Sequence, residues 1–198
     1  RFFYQICRMR YLFFLAFLVS FNISANDTLH LTKISSIVFQ DSICDDSKSK
    51  TYINTANMFA IRLEFLDANS PMDLAYNDKI HPFIESYLVK NKALISRMLG
   101  LKKLYFPLFE SLLDNYELPL ELKYLAIVES ALNPKAKSHS GATGLWQFMY
   151  PTGKEYNLNV TSYIDERQDP LKSTQAACEY FLKLYDNFGD WNLVLAAY

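Results

Sequence analysis

A glutamate lies on the apolar face of a predicted helix in the second half of the chain. The helix is expected to begin at Pro119, because proline is favoured in a first helical turn. It is expected to end at Asn133, because Pro134 disfavours the α conformation of the residue before it. The apolar face consists of four residues at helical spacing, Leu118, Leu122, Leu125 and Leu132. Glu129 falls within that face. Burial of an ionised carboxylate is costly, so either a Lys or Arg from elsewhere pairs with it, or apolar surroundings keep it protonated as a proton donor.

A small polar loop follows this helix. Residues 138–144 read SHSGATG, and glycines in such a loop allow the backbone to approach a ligand closely. The apolar segment after the loop carries Gln147, whose side chain offers both a donor and an acceptor to hydroxyl or amide groups. A carboxyl group followed by such a loop favours a proton-donating acid over a simple buried ion pair.

Three motifs, in this order, resemble those of the lytic transglycosylase domain. They are Glu129-Ser130, then Gly144-Leu145-Trp146-Gln147, then the terminal Ala197-Tyr198. The resemblance covers residues 58–198 and is nearest to the membrane-bound murein transglycosylase D type. It implies a mainly α, goose-type-lysozyme-like fold, which a minor β element could accompany. It also implies an enzyme that cleaves peptidoglycan.

The resemblance assigns a role to each matching position. Glu129 is the catalytic acid and base. The positions that contact substrate are Ser138, Gln147, Met149 and Tyr198. A structural role stays open for three of them, as a turn serine at Ser138 and as core residues at Met149 and Tyr198. Trp146 stands where the family often has methionine, so it either stacks on a sugar face or packs in the core.

Neither a metal nor a cofactor is expected. His139 has no cysteine, aspartate or second histidine at ligand spacing. The acidic run of residues 165–169 reads DERQD, and adjacent carboxylates without a cage of partners are usually helix caps and surface pairs. We therefore expect Asp169 to cap a helix that begins at Pro170. Ser130 is expected to hold local structure.

The distribution of carboxylates bears on the mechanism. Most glycosidases use two carboxylates, yet no Asp or Glu lies between Ser130 and Lys154. This scarcity fits the substrate-assisted, single-carboxylate route that the resemblance implies, although Asp165 or Glu166 stays open as a second carboxylate. In that route Glu129 protonates the glycosidic oxygen between N-acetylmuramic acid and N-acetylglucosamine. The muramic 6-hydroxyl then attacks the anomeric carbon and a 1,6-anhydro sugar forms.

The rest of the chain divides into segments of different character. Met9, Arg10 and the apolar run of residues 11–21 are typical of a secretory signal peptide over residues 1–25, which would act as a membrane anchor if uncleaved. Polar residues 26–55 predict a flexible tether. Residues 56–116 predict a helical extension, in which one helix ends at Gly100. Residues 117–198 are expected to form the catalytic domain that the resemblance implies. We expect it to be truncated at its C-terminal end, because the family motif continues past Tyr198.

Charge and cysteine usage narrow the partners and the location. The chain carries 20 basic and 21 acidic side chains, a balance that gives no reason to expect nucleic-acid binding. We expect an exported monomer in the periplasm or cell envelope of a bacterium, bound to peptidoglycan glycan strands. Cys44 and Cys178 could pair in such an oxidising compartment, but Cys178 lies in an apolar helical run and reads as a buried small residue.

Two other functions stay open. A hydrolytic muramidase of the same fold would use water in place of the 6-hydroxyl and would leave reducing-end muramic acid. A non-catalytic peptidoglycan-binding module would keep the cleft without turnover.

Overall fold

The computed structural model describes the backbone of residues 47–198 and the side chains of residues 57–88 and 90–198. The predicted signal peptide, Cys44 and the first part of the predicted tether lie outside the described residues. Within the described residues, no helix combines the length and the apolar character needed to cross a membrane.

The described chain is mainly helical, as predicted. In chain order the helices are α1 (Ser47–Asp67), α2 (His81–Glu85), α3 (Lys92–Asn115), α4 (Leu125–Ser130), α5 (Tyr150–Glu155), α6 (Pro170–Phe188) and α7 (Trp191–Ala197). A π turn at Ser86–Lys90 follows α2, and 3-10 turns at Leu120–Tyr124 and Glu166–Gln168 precede α4 and α6. Within residues 47–198, β structure is confined to isolated antiparallel bridges that pair Lys137 with Thr143, Thr143 with Phe148, and Val160 with Asp165.

Two boundaries in the N-terminal part differ from the sequence interpretation. Helix α1 begins at Ser47, inside the segment predicted as a tether. The predicted helix end at Gly100 is wrong, because α3 continues through Gly100 and the break lies at Asn91. A glycine inside a helix costs only about 1 kcal/mol. The burial of Phe106 and Phe109 on the inner face of α3 outweighs this cost.

The helix that carries Glu129 is shorter than predicted. The chain from Leu120 forms a 3-10 turn before α4, and α4 ends at Ser130 instead of Asn133. Ala131 and Leu132 both adopt left-handed conformations, with φ of 52° and 59°. Such a residue costs about 1–2 kcal/mol, which the complete burial of the Leu132 side chain offsets. The four leucines of the predicted apolar face are buried.

An aromatic cluster at the centre of the core fixes the loop that follows α4. Trp146 on this loop, Phe109 on α3 and Phe181 on α6 are completely buried. The Trp146 ring centroid lies 5.2 Å from that of Phe109 and 5.8 Å from that of Phe181. Trp146 Nε1 also donates a hydrogen bond of 2.9 Å to Thr174 Oγ1. Trp146 therefore holds the loop between α3 and α6.

Cys178 on α6 lies in the same core. It is completely buried, and burial raises the pKa of its thiol to about 12. A thiol held in its neutral form packs as a small apolar side chain, which is the role that its sequence context favoured. Because Cys44 lies outside the described residues, the pairing of the two cysteines stays a prediction.

Candidate active site

Glu129 stands at the last turn of α4, one residue before the helix ends. Its side chain is half-buried, whereas Leu125, Ala126 and Ile127 on the same short helix are buried. The short helix therefore places a carboxyl group at the boundary between the core and the surface. A carboxyl group at such a boundary is accessible to a ligand while one side of it borders apolar groups.

Ser130 joins α4 to the loop. Its hydroxyl group lies 2.9 Å from the carbonyl oxygen of Ala126 and 3.0 Å from that of Leu145, and it donates its one proton between them. The first bond stays within the helix and the second reaches across to the loop. Ser130 thus has the structural role predicted for it, and it fixes the end of the helix beside Glu129.

The loop from Ala136 to Phe148 folds back on itself through backbone hydrogen bonds. Gly144 N donates to Ala136 O at 2.9 Å, and Thr143 N donates to Phe148 O at 3.0 Å. Gly144 has a φ of 91°, and a Cβ atom there would lie 1.8 Å from the carbonyl oxygen of Arg167. The sequence interpretation assigned the glycines of this loop to ligand approach. At Gly144 the close approach is instead made by the backbone of Arg167.

Gln147 offers less to a ligand than its residue type suggests. Its Nε2 donates to Gly144 O at 2.8 Å and to Ala136 O at 3.3 Å. Carbonyl oxygens only accept, so this network fixes which end of the amide faces them. Both donors of the side chain therefore serve the loop, and the group that Gln147 presents for recognition is its acceptor, Oε1.

Ser138 takes part in the turn at the tip of the loop. Its Oγ accepts a hydrogen bond of 3.0 Å from Ala142 N and lies 3.2 Å from Ser140 Oγ. These bonds account for Ser138 as a turn serine, the alternative that the sequence left open. A contact between Ser138 and substrate stays a prediction.

The remaining predicted positions separate into core and surface. Trp146 is completely buried, so it packs in the core and does not stack on a sugar. Met149 is 42% exposed, so it is a surface residue and not a core residue. Tyr198 is half-buried, with its ring stacked 5.0 Å from Phe181 and its hydroxyl donating a 2.9 Å bond to Trp146 O. Tyr198 therefore has the packing expected of a core tyrosine.

The three motifs converge on one short piece of backbone. The carbonyl oxygens of residues 144, 145 and 146 accept hydrogen bonds from Gln147 Nε2, Ser130 Oγ and Tyr198 Oη, respectively. Residues from α4, the loop and the end of α7 thus hold consecutive peptide groups. The hydrogen bonds of Ser138 stay within residues 138–142. The structure therefore joins the motifs through the loop backbone.

Arg167 also belongs to this arrangement, although the sequence did not predict it as part of the site. The residue is buried, with 6% of its surface exposed. Nε and Nη2 donate to Oδ1 and Oδ2 of Asp165 at 2.9 and 2.7 Å. Nη1 donates at 3.1 Å to the carbonyl oxygens of both Gly141 and Phe148. A single arginine within the polar run DERQD carries no local signal of burial, because such runs are usually solvated.

The acidic run is otherwise arranged as predicted. Asp169 Oδ1 accepts a 2.8 Å bond from Lys172 N and caps α6. The hydrogen bond from Lys172 holds the pKa of the Glu166 carboxyl below its usual value, and Asn159 N donates to its other oxygen. Both oxygens of Asp165 bind Arg167. The two carboxylates that stayed open as catalytic partners are therefore engaged in structural pairs. Among the described residues, no group of three His, Cys, Asp or Glu side chains could hold a metal ion.

The Asp165–Arg167 pair makes the stability of the protein depend on pH. The hydrogen bond from Arg167 lowers the pKa of Asp165 from its ordinary value of 3.8. This contribution is fully present above the ordinary pKa and is lost as the pH falls through the lowered pKa of the folded state. We expect Asp165→Asn to reduce the free energy of unfolding at pH 7 by about 1.5–3 kcal/mol. Urea unfolding at several pH values should show the gap to the wild type closing below about pH 4.

The control for this measurement is Glu155→Gln. Glu155 pairs with Lys183, but both side chains are more than half exposed, so this substitution should change stability by less than about 0.5 kcal/mol at any pH. A gap between wild type and Asp165→Asn that stayed constant from pH 7 to pH 2 would contradict the assignment.

Comparison with known proteins places these motifs in a family. The family model for the transglycosylase SLT domain matches residues 108–198. The chain is 35% identical over 135 residues to the membrane-bound lytic murein transglycosylase D of Escherichia coli (strain K12), and equally to that of E. coli O6:H1 (strain CFT073 / ATCC 700928 / UPEC). Each match covers 68% of this chain and 30% of the relative, so the chain spans less than a third of these relatives. A protein of Alteromonas sp. (strain M-1), whose name refers to tributyltin chloride resistance, is 36% identical over 85 residues, which are 42% of this chain and 41% of that protein.

The matched range contains the whole site. It includes Glu129 and Ser130, the loop that holds Gln147, and Tyr198. The match and the helical architecture confirm the predicted family and the predicted lysozyme-like fold class. Residues 108–198 of the chain match the transglycosylase SLT domain family.

Proposed function

We propose that this protein is a peptidoglycan lytic transglycosylase. It cleaves the β-1,4 bond between N-acetylmuramic acid and N-acetylglucosamine without water and leaves 1,6-anhydro ends. The observation that carries the proposal is the convergence of the three motifs. Ser130, Gln147 and Tyr198 hold consecutive peptide groups of one loop, and Ser130 directly follows Glu129. The names of the E. coli relatives, which are lytic murein transglycosylases, support the same reaction.

In the proposed mechanism, Glu129 acts first as an acid and then as a base. Its carboxyl group donates a proton to the glycosidic oxygen as the bond from that oxygen to the anomeric carbon breaks. The acetamido group of the substrate stabilises the oxocarbenium-like charge. The muramic 6-hydroxyl oxygen then bonds to the anomeric carbon, and its proton passes to the Glu129 carboxylate, which restores the acid. Protons balance and no water is consumed.

The state of the other carboxylates favours a route with one carboxylate. A hydrolase that inverts the configuration of the anomeric carbon needs a second carboxylate to activate water. The two candidates along the chain, Asp165 and Glu166, have both oxygens engaged by protein donors. Their engagement supports a mechanism in which the nucleophile comes from the substrate.

The other predicted positions act in recognition. In this proposal Oε1 of Gln147 accepts a hydrogen bond from an amide or hydroxyl group of the glycan, because its donors are already used. The exposed side chain of Met149 provides an apolar contact in the cleft. Ser138 and Tyr198 contribute contacts to the acetamido group or to the acid.

The proposal also covers the binding partner and the cellular location of the protein. Peptidoglycan glycan strands are the partner, and the murein transglycosylase names of the E. coli relatives support a location in the cell envelope. Export through residues 1–25, a periplasmic location, a monomeric state and membrane association through residues 11–21 are further parts of the proposal.

The test is mass spectrometry of the soluble products that the full-length protein releases from purified peptidoglycan. We expect muramic acid ends that have the mass of the 1,6-anhydro form, which lack one water relative to reducing ends. Reducing-end muramic acid would instead identify a hydrolytic muramidase. A folded protein that binds peptidoglycan and releases nothing would be a binding module.

A further inference from the structure

We infer that Arg167 is a positioning residue that sets the geometry of residues 141–148, the part of the loop that carries Gln147. The inference rests on the proposed function, since the loop is catalytic only if the domain turns over glycan. It assigns Arg167 a role through Gln147 and the peptide groups of residues 144–146, with no contact between the guanidinium and the substrate.

The guanidinium group spans the loop. Its Nη1 binds the carbonyl oxygen of Gly141 and that of Phe148, and these two residues bracket the segment that contains Gln147. Phe148 O also accepts from Thr143 N at 3.0 Å. One nitrogen therefore joins the tip of the loop to its C-terminal end, and its displacement would be transmitted to the residues between the two carbonyls.

The main chain of the same residue holds the middle of the loop. The Arg167 carbonyl oxygen occupies the space where Gly144 would carry a Cβ atom. Gly144 O in turn accepts a hydrogen bond from Gln147 Nε2. The side chain of Arg167 binds both ends of residues 141–148 and its backbone packs against their middle, so one residue controls where Gln147 lies.

The arrangement requires an arginine. Four N–H groups of one planar fork are used at once, two towards Asp165 and two towards the loop carbonyls. Asp165 orients the fork by a bidentate pair, a geometry that lysine cannot reproduce because its ammonium group is a single point of charge. Arg167→Lys therefore keeps the charge but cannot bind both oxygens of Asp165 and both loop carbonyls at the same time.

The first test is the rate of anhydro-end formation by full-length Arg167→Lys on solubilised glycan strands. Because a misplacement of about 1 Å in a catalytic group can cost about 10²-fold in rate, we expect kcat to fall by about 10–100-fold. KM should rise as well, because Gln147 Oε1 is displaced from the position at which it accepts a hydrogen bond from the glycan. A kcat within about twofold of wild type would overturn the inference.

A control variant separates positioning from loss of stability. Leu63→Ala creates a cavity at a completely buried position of α1, outside the matched residues 108–198, and should lower the melting temperature at least as much as Arg167→Lys. Both variants are assayed well below their melting temperatures. Leu63→Ala should keep the wild-type kcat, and an equal loss of kcat in both variants would show that Arg167 serves only stability.

Hydrogen exchange tests the inference without turnover. The amides of Thr143 and Gly144 are bonded within the loop, and in Arg167→Lys their exchange should accelerate by about tenfold or more relative to Leu63→Ala of similar stability. Unchanged exchange in Arg167→Lys would overturn the inference, whether or not the wild type releases anhydro ends. Absence of anhydro ends from the wild type would reject only the proposed function. If Arg167→Lys does not fold, Asp165→Asn serves instead. This substitution removes the bidentate pair that orients the guanidinium group but retains the arginine. We then expect a several-fold lower kcat and faster exchange of both amides, and wild-type values for both would overturn the inference.

Discussion

Glu129→Gln should reduce the formation of 1,6-anhydro ends by about 10²–10⁴-fold, the range that a general acid–base group contributes. Glutamine keeps the shape of the side chain but neither donates an acidic proton to the leaving oxygen nor accepts one from the 6-hydroxyl. In the proposed mechanism one carboxyl group performs both steps, so its loss leaves neither. The measurement is the initial rate of product release by mass spectrometry, with wild-type and variant proteins at equal concentration.

The control for Glu129→Gln is Glu121→Gln. Glu121 lies on the 3-10 turn before α4 and is half-buried like Glu129, so the same chemical change is made a short distance upstream. This variant should keep the wild-type rate. Sedimentation with insoluble peptidoglycan should also show that Glu129→Gln still binds. Turnover by Glu129→Gln within about threefold of wild type would remove Glu129 from the mechanism.

Much of the fold follows from patterns that the sequence displays locally. The apolar periodicity around Leu122 and Leu125 predicts the buried face of the helix that carries Glu129. The cap of α6 is equally visible, because Asp169 before Pro170 is a strong N-terminal signal. The helix end after Ser130 was mispredicted. Left-handed Ala131 and Leu132 have no signal in their residue types and are stabilised by tertiary burial.

Only the part of the candidate site that lies in the motifs could be predicted from the sequence. The ordered motifs predict Glu129 and Gln147 as site residues, but they do not show that both donors of Gln147 are used inside the loop. The burial of Trp146 was left open, because a tryptophan in a loop suits a sugar face and a core equally well. Arg167 was missed because its inward orientation depends on loop carbonyls that come from distant parts of the chain.

Gly144→Ala should strongly destabilise the protein, with a loss of about 3–5 kcal/mol in the free energy of unfolding. Two separate penalties add. A φ of 91° is rarely adopted by a residue with a side chain, and this alone costs about 1–2 kcal/mol. The new methyl group would also lie 1.8 Å from the Arg167 carbonyl oxygen. Because non-bonded carbon and oxygen atoms do not approach so closely, the loop or the turn at Glu166–Gln168 must move.

Gly141→Ala is the matched control, and comparison of the two variants isolates the steric penalty. Gly141 has a φ of 90°, nearly equal to that of Gly144, but no atom lies within 4 Å of the position that its Cβ would take. It should therefore lose only the conformational part, about 1–2 kcal/mol. Urea unfolding of both variants should differ by about 2 kcal/mol or more, since relief of the clash requires displacement of Arg167 and its bonds to the loop. Equal stabilities would mean that Arg167 and the loop are not packed as described, and the role of Arg167 in holding Gln147 would fail with it.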